Sequence, residues 1–221
     1  MSEPSSRSTF LHELIRQTDD KIKIRTEVLN ILLAGRDTTA SFLSDLWFEL
    51  SRHPAVFERL RAEVGNLDLG EGLTFQTFKS MPYLRAVVNE NLRIHPVVPE
   101  NSRIANKDTI LPLGGGADQT SPVFVAKDQV VSWCVYEMHR RKDIFGDDAD
   151  IFRPERWLDE GDQKGIRPGW GFLPFNGGPR ICIGRKFTCF GCRFVPQHPG
   201  SVHERQLTCM QNNSLSPKLL T

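Results

Sequence analysis

The chain has 221 residues, 28 basic against 27 acidic, and a hydrophobic content of 39%. That length suits one large domain or two small ones, and a net charge near zero offers no general attraction to nucleic acid or to an anionic membrane. No apolar run approaches the roughly 18–20 residues that cross a bilayer. The polar, Ser-rich start Met1–Thr9 does not read as a signal peptide, and five irregularly spaced cysteines do not suggest a disulfide scaffold. A reducing, intracellular setting is the expectation.

Residues 1–8 read as a disordered start. From Phe10 to Ser51 the pattern predicts one long helix, with Leu11, Leu14, Ile15, Ile22, Leu29, Leu32 and Leu33 at helical spacing. Pro54 opens a second helix over Ala55–Val64, and Pro82 a third that runs to Ile94 and stops before Pro96. A short helical turn is expected at Thr74–Phe78. Strand candidates follow at Ser102–Ala105, Thr109–Leu111, Pro122–Val125 and Val130–Val131, broken by Gly114-Gly115-Gly116 and by Asp/Lys turns. Val131–His139 reads as a short helix, Asp143–Pro174 as a long loop, and Gly184–Phe190 as the start of a last helix. A loop of that length in a compact domain is functional or is pinned by specific contacts.

Four stretches carry chemistry. Phe175-Asn176-Gly177-Gly178-Pro179-Arg180-Ile181-Cys182-Ile183-Gly184 puts one cysteine in a glycine-rich turn where a helix begins. Free N–H groups at a helix start favour a thiolate, and glycines at 177, 178 and 184 let a flat cofactor approach the backbone. Arg180 can pair with a carboxylate on such a cofactor. Ala34-Gly35-Arg36-Asp37-Thr38-Thr39 sits mid-helix, where Gly and Thr weaken the helix and a Thr hydroxyl can bond back and open it. Glu90 and Arg93 share a helix face, and Phe152-Arg153-Pro154-Glu155-Arg156-Trp157 lies in the long loop.

The cysteine stretch resembles the haem-binding loop of the cytochromes P450, the haem-thiolate monooxygenases. The resemblance implies that Cys182 is the iron ligand, that Phe175 shields its sulfur, and that Arg180 holds a haem propionate, with Gly178 and Gly184 completing the cofactor loop. It also implies that the helix segment is an oxygen-activation site, where Gly35 leaves room for dioxygen, Thr38 supports the activated oxygen and Asp37 feeds protons. Glu90 and Arg93 would bind Arg156, a structural tie, and Arg103 would contact a propionate. His95, His139 and Arg140-Arg141-Lys142 are expected at the surface, without a chemical role.

Order and spacing match the family from Phe10 to Phe187. The expected fold is mainly α with small β-sheets, the C-terminal portion of the cytochrome P450 fold truncated at both ends: a partial domain over 9–187 and an aberrant, disordered tail over 188–221. The wording at Leu32–Thr39 and Val135–Asp143 resembles fungal n-alkane and fatty-acid hydroxylases. The implied reaction inserts one oxygen atom of O2 into a C–H bond of an apolar substrate, a long-chain alkane or fatty acid, with electrons from a flavoprotein reductase and no nucleic-acid partner. Family members are endoplasmic-reticulum membrane proteins; this sequence alone points to the cytoplasm.

Two departures temper the activity. The N-terminal portion of the family, about half the usual chain, is expected to be missing, which favours the alternative of an inactive fragment. After Phe187 the family's apolar helix gives way to Thr188–Pro196 and a polar tail, as a retained intron or frame change would produce. Cys189, Cys192, His198 and His203 in that tail offer a further alternative, a small zinc-binding module.

Overall fold

The structure, a computed structural model, describes residues 9–65, 80–161 and 164–185. The expected disordered start, the turn at Thr74–Phe78, the last helix beyond Arg185 and the tail with its Cys/His cluster lie outside the described residues.

The long N-terminal helix is two helices, α1 (Phe10–Gln17) and α2 (Lys21–Arg52). The break is set by Asp20, whose carboxylate caps α2 by accepting from the backbone N–H groups of Ile22 (2.9 Å) and Lys23 (3.1 Å). Apolar spacing across Ile15 and Ile22 is compatible with a continuous helix, but the cap satisfies donors that a helix start leaves free. A groove of about 550 Å³ separates the two, lined by Leu11, Ile15, Ile24 and Val28 among others.

Helices α3 (Pro54–Gly65) and α4 (Pro82–Ile94) begin at prolines, as expected from a residue that lacks an N–H and carries a helical φ. Together with the C-terminal half of α2 they form the core: Phe42, Leu46 and Leu50 meet Leu60, Val64, Leu84, Val87 and Leu92.

Strands β1 (Glu100–Ile104) and β4 (Val130–Cys134) pair antiparallel, and β2 (Thr109–Gly115) and β3 (Ser121–Val125) make a separate antiparallel hairpin between them in sequence. The strands run past their expected ends. Trp133 and the β-branched pair Val130-Val131 favour an extended β4, so the expected helix over Val131–His139 is reduced to α5 (Val135–Met138). Gly114 and Gly115 lie inside β2, at an irregularity in its pairing with β3, instead of ending the strand.

The long loop holds only α6 (Lys142–Phe145) and 3₁₀ turns at Pro154–Trp157, Gly169–Gly171 and Gly178–Arg180. The chain is thus mainly α with small antiparallel sheets. No described helix is long and apolar enough to cross a membrane.

Candidate haem-thiolate site

A loop without a ladder must find donors for its carbonyls. Here two arginines supply them. Arg93 on α4 is fully buried and donates to the carbonyls of His139 (3.0 Å), Ala149 (2.5 Å) and Ile151 (3.2 Å). Arg156, from the 3₁₀ turn, donates to those of Phe145 (2.9 Å), Asp148 (3.0 Å) and Ile151 (3.0 Å). Between the two guanidinium groups lies Glu90, also fully buried.

Both carboxylate oxygens of Glu90 are saturated. Oε1 accepts from Arg93 Nη2 (2.8 Å), Arg156 Nε (2.9 Å) and the Arg153 backbone N–H (2.8 Å). Oε2 accepts from Arg93 Nε (2.9 Å) and the Trp157 indole N–H (2.9 Å). The second positive charge is answered by Asp148, 3.1 Å from Arg156. Burial opposes ionisation of Asp148, but Arg156 and Arg153 outweigh it and hold the carboxyl below its usual range. The expected tie between Glu90, Arg93 and Arg156 is therefore present. Trp157, the last residue of the Phe152–Trp157 stretch, joins it, and so does Asp148, which no signal in the sequence singled out.

His139 and His95 are not surface groups. His139 is fully buried, and its Nε2 accepts the backbone N–H of Leu173 (2.8 Å). Burial pushes its imidazole down to about 4, against a smaller upward pull from the Leu92 and Arg93 carbonyls. His95 is half-buried, 2.7 Å from Glu49 Oε1. Arg140 is also drawn inward, donating to the Ile94 carbonyl (2.6 Å), whereas Arg141 pairs at the surface with Asp143. A helix-end pattern alone does not distinguish a basic residue that faces solvent from one that caps the preceding helix.

The cysteine loop leaves this framework as an exposed shelf. Phe175 packs on the edge of the core, and its carbonyl accepts the Cys182 N–H (2.9 Å), so the loop closes on itself. Cys182 is a free, exposed thiol. Gly184 sits against it, such that an added Cβ would lie 3.6 Å from the sulfur. Gly178 takes φ +67°, a conformation that favours glycine. Gly177 has a different reason to be small: a Cβ there would lie 2.4 Å from the Trp170 ring.

Asn176, at φ +58°, donates from Nδ2 to Asn101 Oδ1 on β1 (3.2 Å). Alternation puts Arg103 on the same face of β1 as Asn101. The Arg103 guanidinium lies over the Trp133 ring, 5.2 Å from its centroid, and donates to the Ser102 carbonyl. Arg180 is exposed at the end of its 3₁₀ turn.

The helix segment is arranged differently from the expectation. Thr38 does bond back, its hydroxyl donating to the Ala34 carbonyl (2.6 Å), but α2 continues through the segment unbroken. Asp37 lies 3.6 Å from Arg36, and both side chains are largely exposed. Thr38 and Asp37 are thus engaged within their own helix. Open space surrounds Gly35, with nothing within 4 Å of an added Cβ.

The family model for cytochrome P450 matches residues 2–190. The chain belongs to the cytochrome P450 family. Among curated P450s it is 50% identical over 192 residues to cytochrome P450 52A1 of Candida tropicalis, covering 84% of this chain and 35% of that protein. Against cytochrome P450 52A12 of Debaryomyces hansenii it is 47% identical over 192 residues, 84% of this chain and 36% of that one. Against the cytochrome P450 monooxygenase himC of Aspergillus japonicus it is 48% identical over 191 residues, 86% and 33% respectively. The chain spans about a third of the length of the curated relatives it matches. P450s are haem-dependent, and the residues present suit that group. They offer a soft, unpaired thiol, an arginine two residues before it, and exposed apolar side chains at Ile181 and Ile183 on either side of it.

Proposed function

We propose that the protein to which this chain contributes is a haem-thiolate monooxygenase, with Cys182 as the iron ligand. The observation that carries this is the cysteine loop itself. Cys182 stands free and outward on a shelf whose approach segment meets the buried Glu90 network where Phe172 packs on Trp157. A cysteine kept for packing is normally buried; this one is presented.

Bound haem would supply dioxygen activation, with thiolate donation favouring cleavage of the O–O bond. The chain's own residues do the rest. Phe175 covers the approach to the sulfur from the core side, Gly178 and Gly184 keep the shelf low enough for a flat ring, and Arg180 and Arg103 hold its carboxylates by charge-assisted hydrogen bonds. Gly35 leaves the space at α2 where a small ligand fits. Thr38 can exchange its bond to Ala34 for one to such a ligand, and Asp37 can deliver protons from solvent, which it already faces.

The substrate class is apolar, a long-chain alkane or fatty acid, in keeping with the wording of Leu32–Thr39 and Val135–Asp143; a flavoprotein reductase would supply electrons. The domain would extend over residues 9–187, with the tail over 188–221 outside it. A second reading is that this stretch by itself holds haem without turnover. It is favoured by the exposure of Leu32 and Leu33 beside the Gly35–Thr38 segment, since an oxygen site needs dry walls.

A reduced carbon monoxide difference spectrum of the purified chain with added haemin tests the ligand. A Soret maximum characteristic of thiolate ligation, lost in Cys182→Ala, is expected. No such band in the unsubstituted chain would reject haem ligation by this stretch itself.

A further inference from the structure

Among the described residues, His139 is a fully buried titratable group to which the monooxygenase reading gives no task. Yet it sits at the junction of two structures that must be kept in register. Its backbone carbonyl accepts from Arg93, which ties it to the Glu90 network. Its ring lies 4.9 Å from Phe172; Phe172 lies 4.7 Å from Trp157; and the Trp157 indole donates to Glu90. These contacts form a closed circuit that includes Phe172, in the segment that leads into the cysteine loop. Within that circuit, His139 Nε2 accepts a directional bond from the Leu173 N–H, at 2.8 Å. Two residues later, the Phe175 carbonyl accepts the Cys182 N–H.

We propose that His139 is a positioning residue for the cysteine loop, latching its approach segment at Leu173 through a neutral imidazole acceptor. The proposal rests on the reading of Cys182 as iron ligand for its purpose, but not for its observation, which is geometric.

A backbone N–H can be held only by an acceptor, so the latch exists while Nε2 carries a lone pair. The surroundings keep it that way. Arg93 from α4 and Arg140 from the turn after α5 are the charges facing the ring, and both oppose protonation. The covering segment 169–175 carries no titratable side chain. Trp157 contributes only an N–H, already given to Glu90. A leucine at 139 would fill the space without the acceptor. A glutamine can offer Oε1 where Nε2 now stands, and it does not titrate.

Amide hydrogen exchange on the full chain without haemin reads the latch directly. With His139→Leu, exchange across Phe172–Asn176 should rise about tenfold or more, the usual consequence of an unmade buried hydrogen bond, while α4 keeps its protection. His139→Gln should restore most of it. An unchanged Phe172–Asn176 in His139→Leu, or a loss spread equally over α4, would overturn the proposal.

If the leucine variant does not fold, the unsubstituted chain decides. Corrected for intrinsic rates, its exchange at Phe172–Asn176 should rise as pH falls between about 6.5 and 4, a rise absent from His139→Gln. A rise equally steep in His139→Gln, or none in the unsubstituted chain, would overturn the latch. With haemin added, His139→Gln should keep the thiolate spectrum and His139→Leu should lose it. If the chain shows the latch but takes up no haem, the assignment of Cys182 fails and the positioning role stands.

Discussion

The two halves of α2 meet opposite conditions. In the C-terminal half Phe42, Leu46 and Leu50 are 0–2% exposed against α3 and α4. In the N-terminal half, Ile22, Leu32 and Leu33 are 54–69% exposed, although the residues are as apolar. The first half is fastened to the Glu90 network through α4; the second carries the Gly35–Thr38 segment. The framework that supports the cysteine loop is therefore complete within the described residues. The surroundings of the Gly35–Thr38 segment are not. Hydrophobic stabilisation follows the area removed from water, so stability should follow burial along one helix and ignore residue type.

Several substitutions can break or sharpen that contrast. The largest effect is expected for Glu90→Ala, which leaves Arg93 and Arg156 buried beside each other without their shared carboxylate. Loss of one partner from a buried ion pair costs about 3–5 kcal/mol, and urea denaturation would read it. Next comes a matched pair on α2. Leu46→Ala should cost about 2–5 kcal/mol by transfer and cavity terms, and Leu32→Ala less than about 0.5 kcal/mol. Equal costs would mean that the N-terminal half is covered after all.

A third test uses pH. The His139 imidazole titrates near 6.5 when unfolded and at about 4 when folded. The unfolded state thus binds a proton in that window that the folded state refuses. Stability should be fully present above pH 6.5 and fall by roughly 3 kcal/mol toward pH 4, a slope abolished in His139→Gln. Other groups add to the measured curve, so the difference between the two proteins is the quantity to compare. A smaller, local effect than that of His139 is expected for Asn101→Ala. It removes one partly buried hydrogen bond to Asn176, worth about 1 kcal/mol, and should raise local exchange at the cysteine loop without moving the α2–α4 core.

Much of this was legible in the residues because it depended on local chemistry. Prolines marked the starts of α3 and α4, and the Glu90/Arg93 spacing placed both on one face. The motif around Cys182 carried the family. What escaped was set by partners distant in sequence. Nothing local distinguishes His139, which bonds a backbone N–H 34 residues on, from the surface basic run that follows it. Asp148 looks like any loop acid until Arg156 arrives. Asn176 did leave a signal, since Asn-Gly is a strong turn pair and Asn tolerates positive φ, but its bond to Asn101 needed the strand beside it. Asp20 was a missed cap, overridden by apolar spacing that ran through it. For the Gly35–Thr38 segment the expected bond to Ala34 is there, but the helix is not opened. One back-bond does not displace a ladder of backbone bonds on either side.

The central claim is a division of labour, with the Glu90 network holding the loop and Cys182 presented for a ligand. Urea unfolding of the unsubstituted chain and of Cys182→Ala, each followed by the carbon monoxide difference spectrum with haemin, tests it most directly. The haem-free midpoint should stay unchanged, because the exposed Cys182 side chain supports no packing, while the thiolate Soret band is lost completely. A band that survives the substitution, or a midpoint that falls as it would for a core residue, would contradict it.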